Sequence, residues 1–439
     1  MDHGGTMRLA RTAALAAALA TIAPNWAQGQ FSQYTQPGAG AAGGVAMTKE
    51  EMDQALDEAR WHAGPVRVAP WIGLRDVSWS DNPGAAPEGQ DAEGDVSVTA
   101  GAGLTAYLPT GPDVYWTAHA LPEYLWYADQ SDRRRLNGRY GAGVFGFFNR
   151  LTLEATAQRI DALGILTAEV PEQANSREDR VALGGEVELG FSTSVFVQAG
   201  TGRIRNLLNE EERESGPQLQ LLDRDEDRLR AGLRYRPRER WSVALGMEWT
   251  ETELASEARD LSSSGEAPVV ELDYRGPKLF ASAEVELRSL EPEGDSLFPA
   301  TDVTTYGLRL GLEGNRLSPT LYARQSLALA LSEGYSHFET QVVGLGTSLS
   351  LGQRTRLRVF AETGRSDFNA LSSEVPARED DLTSFGGEVS FAAGRFLSFS
   401  LGGYRTELDS NLPGQDRSLS VLSTGVSLGL TGEDAPGWP

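Results

Sequence analysis

The 439-residue chain contains no cysteine, which excludes disulfides and thiolate metal sites. After its first thirty residues it also lacks any run of the roughly 20 apolar residues that a membrane-crossing helix needs. Positive charge is short: 62 Asp and Glu face 39 Lys and Arg, a formal net charge of −23. Nucleic acid rewards basic surfaces, so it is not an expected partner. Histidine is scarce, with four residues in all. No cofactor-binding motif is present. Glycine is plentiful at 49 residues, as tight turns and bending strands require.

The first segment reads as an export signal. From Met7, Arg8 and Arg11 form a positive region, Thr12 to Ala23 an apolar one, and Pro24-Asn25-Trp26-Ala27 a cleavage site, so residues 1–27 are expected to be removed. Residues 28–47, rich in Gln, Gly and Ala without a period, read as a flexible linker. Thr48-Lys49-Glu50-Glu51 fits the capping-box pattern, and Met52, Leu56 and Ala59 share a helical face. A short helix within 48–62 is therefore predicted, either as a surface-lying periplasmic handle or as a partial plug.

From Arg67 to Leu430 the chain runs as about eighteen strand-like segments, with 16–18 allowed by the soft boundaries. Apolar and polar residues alternate with a period of two, which puts them on opposite faces of a strand. Leu229, Ala231, Leu233 and Tyr235 oppose Arg228, Arg230, Arg234 and Arg236. Leu357, Val359 and Ala361 oppose Arg356, Arg358 and Glu362. The connections alternate short and long. Phe148-Asn149-Arg150 precedes the stretch Ala162 to Arg177, and Phe191 to Ser194 precedes an acidic loop from Asn206 to Asp227. Tight turns on one side and long loops on the other mark an all-β, antiparallel transmembrane barrel. An even strand count puts both termini in the periplasm, with a tail at 431–439. Tyr124, Trp126, Trp241, Trp249 and Phe399 gather near strand ends, as interfacial girdles do. Val68 to Trp79 breaks phase at Trp71-Ile72, which predicts a bulge. A soluble sandwich or propeller is the alternative, but no blade repeat is evident.

The last strand, Ser423-Thr424-Gly425-Val426-Ser427-Leu428-Gly429-Leu430, resembles the C-terminal signal of bacterial outer-membrane barrels, with Gly425, Leu428 and Leu430 carrying the match. The usual terminal aromatic is replaced by Leu430. Arg67-Val68-Ala69-Pro70-Trp71-Ile72-Gly73-Leu74-Arg75-Asp76-Val77 is similar to the opening strand of the β-barrel porin-2 group. So is Pro122-Glu123-Tyr124-Leu125-Trp126-Tyr127, followed by Arg133-Arg134-Arg135-Leu136-Asn137-Gly138. The resemblance implies the outer membrane of a Gram-negative bacterium. It also implies lipid, lipopolysaccharide and the barrel-assembly machinery as partners, and a link to exopolysaccharide secretion with polysaccharide-export components. It brings no catalytic residues.

The polar face is where chemistry would lie. Predicted lumen residues are Arg228, Arg230, Arg234, Arg236, Arg354, Arg356 and Arg358, against Glu154, Glu186, Glu188, Glu284, Glu286, Glu362 and Glu388, with His119 among them. Charged rings set pore selectivity, but the same charges can simply pair. His119 and Glu123 lie four residues apart on one strand, about 13 Å, too far for a nucleophile–base relay. Catalysis is not expected. Glu210-Glu211-Glu212 and Asp223-Arg224-Asp225-Glu226-Asp227 lack the spacing of a calcium loop, and no metal site is assigned. Two roles remain: a porin-like channel for small polar solutes or an extracellular polysaccharide, and a plugged structural or adhesive barrel with acidic loops. The face assignment has a direct test. Leu357→Arg should cost about 2–4 kcal/mol if Leu357 meets lipid near the bilayer midplane, whereas Arg356→Leu should leave folding intact in a refolding assay.

Overall fold

A strand with one apolar and one polar face must present the first to something other than water. In the computed structural model eighteen such strands do so by closing on themselves. Described are residues 31–32, 48–59, 61–83, 86, 93–165, 173–207, 223–238, 240–255, 260–330, 332, 334–394 and 397–429. The expected signal peptide, most of the linker, Glu210 to Glu212, Leu430 and the tail lie outside them.

The strands are β1 (Val66–Ser80), β2 (Asp95–Pro109), β3 (Val114–Tyr127), β4 (Arg135–Phe147), β5 (Leu151–Ile165) and β6 (Gln173–Glu188). Then come β7 (Thr193–Asn206), β8 (Arg224–Arg238), β9 (Trp241–Leu254), β10 (Ser263–Arg275), β11 (Leu279–Pro292) and β12 (Thr301–Leu312). The last are β13 (Leu317–Leu329), β14 (Tyr335–Ser350), β15 (Thr355–Ala370), β16 (Arg378–Ala392), β17 (Leu397–Ser410) and β18 (Arg417–Gly429). Each pairs antiparallel with its chain neighbour, and β18 pairs with β1 to close the cylinder. No edge is left along the ring, which is what lets a sheet enter lipid.

The seam between β18 and β1 holds the predicted irregularity. Leu74 pairs with Ala100 and Asp76 with Thr99, so Arg75 is one residue too many against β2. On the other side Gly425 lies where the β18 register shifts. The bulge explains the broken alternation. Before it the even-numbered Ile72 and Leu74 face outward, and after it the odd-numbered Trp79 does, while Trp71 is buried inside.

Two expectations about loops are corrected. The stretch Ala162 to Arg177 is mostly strand, since β5 runs to Ile165 and β6 starts at Gln173. Asp225, Glu226 and Asp227 likewise belong to β8 and not to a loop. These strand ends stand above the hydrocarbon, where both faces meet water and the apolar period disappears. The strands are accordingly 12 to 16 residues long.

The outer face is apolar. On β9, Trp241, Leu245 and Trp249 point outward, with Leu245 58% exposed. Tyr124 and Trp126 stand outward near the far end of β3, and Phe399 outward near the base of β17. Aromatics thus flank an aliphatic band on both sides, the pattern of a lipid-facing wall. Leu357 proves to be the third residue of β15, beside the short-turn end of the barrel. The penalty for a charge there falls to about 0–1 kcal/mol, so the midplane expectation for it is withdrawn. Leu245, midway between two tryptophans of one strand, is the better probe. Leu245→Arg should destabilise the folded barrel by about 2–4 kcal/mol in lipid, measured by reversible unfolding from vesicles.

Inside the short-turn end sits helix α1 (Lys49–Glu58). Its capping box forms: the Glu51 backbone N–H donates to the Thr48 hydroxyl at 3.3 Å, and the Thr48 N–H donates to the Glu51 carboxylate at 2.9 Å. The helix is shorter than the predicted 48–62, because Ala59 turns extended and Trp61–Ala63 pairs back on β1. Gly64, at φ +64°, makes that two-residue turn possible. A second short piece, Phe31–Ser32, pairs with Gly164 and Ile165 at the far end of β5.

Candidate functional site

The polar residues of β8 set the geometry of the lumen. Arg228, Arg230, Arg234 and Arg236 alternate with outward-facing Leu229, Leu233 and Tyr235. Four inward arginines on one strand would repel one another unless carboxylates came between them. They do, from four neighbouring strands. Arg230 meets Glu248 of β9 at 3.1 Å, Glu271 of β10 at 2.6 Å, and Glu284 and Glu286 of β11 at 3.3 and 2.9 Å. Arg228 binds Glu248 and lies 3.5 Å from Glu286. Arg288 donates to Glu248 at 3.0 Å and to Glu286 at 2.7 Å. The Thr305 hydroxyl adds a further bond to Glu286 at 3.0 Å.

The lower part of the wall reaches the other way. Arg234 joins Glu186 of β6 at 2.6 Å to Glu271 at 3.0 Å, and Arg236 meets Glu186 at 2.5 Å. Glu186 also accepts from the Ser194 hydroxyl at 2.6 Å. Strand β7 lies between the two charged strands. It faces the lumen with Ser194, Gly200 and Gly202 among its residues, and long side chains pass over it. Arg228, Arg230, Arg234, Arg236 and Arg288 stand against Glu186, Glu248, Glu271, Glu284 and Glu286, five charges against five. This wall is close to electrically neutral. In so far as these charges are spent on one another, pairing accounts for them better than solute readout does.

The remaining predicted residues are scattered. Glu362 accepts a 2.7 Å bond from the Tyr322 hydroxyl. Arg358 lies across from Glu388 in the β15–β16 register. Arg356 is half-buried at the base of β15, Arg354 is exposed in the turn before it, and Glu188 is exposed at the base of β6. Glu154 lies on β5. His119 is half-buried opposite Gly141 and Thr105, with Arg139 as its charged neighbour and Glu123 buried further up the strand. Gly425 is buried at the seam, and Leu428 is exposed to the outside opposite Ile72.

Sequence reasoning missed Glu248, Glu271 and Arg288 as partners. Each sits in phase with a polar face, but register alone decides who meets whom across several strands. It also missed the dock for α1. Tyr107, Tyr115 and Phe145 are inward-facing aromatics, buried at 4%, 4% and 2%, where a wet lumen would call for polar groups. Met52, Ala55 and Ala59 pack on them, and burying Met52 contributes roughly 2 kcal/mol. The Tyr115 hydroxyl donates to Asp53 at 2.7 Å, and Lys49 donates to Asp113 at 2.8 Å. That hydrogen bond raises the Lys49 ammonium above its ordinary value.

Two other clusters bring reactive or ligating side chains together. Ser336 Oγ lies 2.9 Å from His337 Nδ1, and Asn369 lies 3.4 Å from the other ring nitrogen. The register shift between Tyr335 and His337 brings these consecutive side chains together. Both are 0% exposed, with Phe298 against the imidazole ring at 5.3 Å, so a substrate has no access. Glu251, Glu253 and Glu293 bring their carboxylates within 4.8 Å of one another at the long-loop rim. Burial, and then the neighbouring Glu251 and Glu253, raise the Glu293 carboxyl. The trio is largely open to solvent, and among the described residues it has no ion pair with a basic group.

No family model matches the chain, and no curated protein does. A BenF-like porin from Pseudomonas fluorescens Pf-5 superposes with a TM-score of 0.51 at 11% identity, over 83% of this chain and 99% of that one. The fold is an eighteen-stranded porin-type barrel. OpdQ from Pseudomonas aeruginosa (TM-score 0.48, 11% identity, 83% and 98% covered) and OccAB3 from Acinetobacter baumannii (0.47, 10%, 82% and 99%) are also similar. At these identities the likeness concerns the fold alone.

The network makes a quantitative demand. Arg230→Met should remove the cation that four carboxylates share, leave Glu284 without an ion pair among the described residues, and destabilise the barrel by about 3–5 kcal/mol. Arg365→Gln removes an exposed pair with Asp381 at 2.9 Å and should change stability by no more than about 1 kcal/mol. Unfolding midpoints of the two variants check the contrast.

Proposed function

We propose that the protein is a porin-like channel of a Gram-negative outer membrane, passing small polar solutes, with both chain ends in the periplasm. The observation that carries this reading is a closed ring of eighteen strands, apolar outside and lined inside by charged and hydroxyl side chains. Barrels of 16–18 strands are wide enough for an aqueous lumen. The exposed aliphatic band would be an aggregation liability in water and is at home in lipid. The short-turn end then lies in the periplasm and α1 narrows the lumen there. Lipopolysaccharide and the barrel-assembly machinery are the expected partners of such a barrel. Passage of an extracellular polysaccharide, and a tie to polysaccharide export, rest on the resemblance of Arg67 to Val77 and Pro122 to Tyr127 to the porin-2 group.

A second reading keeps one specific support: α1 is docked and the ion pairs span β6 to β11, which suits a stiff, plugged barrel acting through its outer surface. Planar-bilayer recording separates the two. Stable single-channel steps are expected from the refolded chain, and larger ones after deletion of residues 48–59. A folded barrel that conducts in neither form would overturn the channel reading.

A further inference from the structure

The neutral wall of β6 to β11 makes one part of the lumen stand out. On β12 Arg309 points inward, between outward-facing Leu308 and Leu310. The residues directly opposite are Ser282 on β11 and Tyr322 on β13, and neither is a carboxylate. Among the described residues Arg309 has no ion pair. Its guanidinium lies over the Phe280 ring at 5.2 Å, and the charged group acting on it is Arg275, another cation. Arg324, two register positions further along β13, also has no ion pair among the described residues and sits opposite Gly307.

Gly307 matters because a Cβ there would meet nothing within 4 Å. Open space therefore adjoins the residue that pairs with Arg324 and lies two positions before Arg309. Glu284, opposite Gly307, binds Arg230, and Glu362 accepts from Tyr322; Asp273, two strands away beyond Ser282, has Arg234, Arg275 and Arg236 as its cationic neighbours. The Tyr322 ring in turn lies over Gly344 and is held there.

A half-buried guanidinium without a counter-ion is costly, while Arg228, Arg230, Arg234, Arg236 and Arg288 of the adjacent wall each have one. A guanidinium fork matches a planar oxyanion through two parallel hydrogen bonds, and a ring beneath it fixes its plane. We propose that Arg309, with Arg324 across the hollow at Gly307, forms a lumenal station for small oxyanionic solutes, which supply the counter-ion the wall omits. This rests on the channel reading above. It adds a solute class, carboxylates or phosphate esters, and a place where they pause.

Single-channel recording of the full mature barrel with glucuronate as probe tests it. In the wild type, glucuronate should interrupt the current and glucose should not. Arg309→Gln should shorten or abolish the interruptions several-fold, and Arg309→Glu should also shift the reversal potential in a salt gradient toward cations. Arg309→Lys keeps the charge and should keep partial block, and Arg324→Gln should weaken it independently. Arg365→Gln, on the outer face, should leave block unchanged. Heat-modifiable migration on gels verifies folding of each variant. A conducting channel blocked equally in wild type and Arg309→Gln overturns the station and leaves the channel standing. Absence of conductance in the folded wild type overturns both.

Discussion

Everything in this molecule depends on the backbone hydrogen bonds between β18 and β1. Lipid offers no partner for a bare N–H or C=O, and each unpaired group costs several kcal/mol. An open eighteen-stranded sheet would carry two rows of them. Closing the ring removes both rows, and closure then dictates the rest. It fixes which face of each strand meets lipid, encloses a polar volume, and places all the short turns at one end. The bulge at Arg75 sits in this seam and lets the first strand match both its neighbours while shifting its own phase.

Enclosure creates a second problem, which is charge. Four inward arginines on β8 are tolerable only because Glu186, Glu248, Glu271, Glu284 and Glu286 converge on them from both sides. Such a lattice gains little net stability over an apolar filling, but removing one member leaves the others exposed to each other. It also keeps the wall polar and wet. The lumen thus divides into a region whose charges satisfy one another and a region around Arg309 where they do not. Charge that is not compensated acts most strongly on a passing solute, so the proposed channel would select in the second region.

The strands, their number and their two faces were legible in the sequence because a period of two is a local property. Arg228 and Leu229 declare opposite faces without reference to any other strand. Where both faces meet water, as at Gln173 to Glu178 and Asp225 to Asp227, the period vanishes and strand was read as loop. The partners of Arg230 lie from 18 to 56 residues away along the chain, so they follow from register and not from pattern. The helix was legible through Thr48 and Glu51, but its dock was not. Tyr107, Tyr115 and Phe145 read as ordinary wall aromatics until the fold puts them on the inner side of one mouth.

The hairpin formed by Trp61–Ala63 and the start of β1 has a kinetic meaning. It joins α1 to the wall through a two-residue turn, so a helix that leaves its dock stays within a few nanometres of it. Re-docking is then intramolecular, at the high effective concentration that a short tether provides. The occupancy of the mouth is therefore independent of how many copies the membrane holds. It is set within each molecule by the contacts of Met52, Asp53 and Lys49 alone.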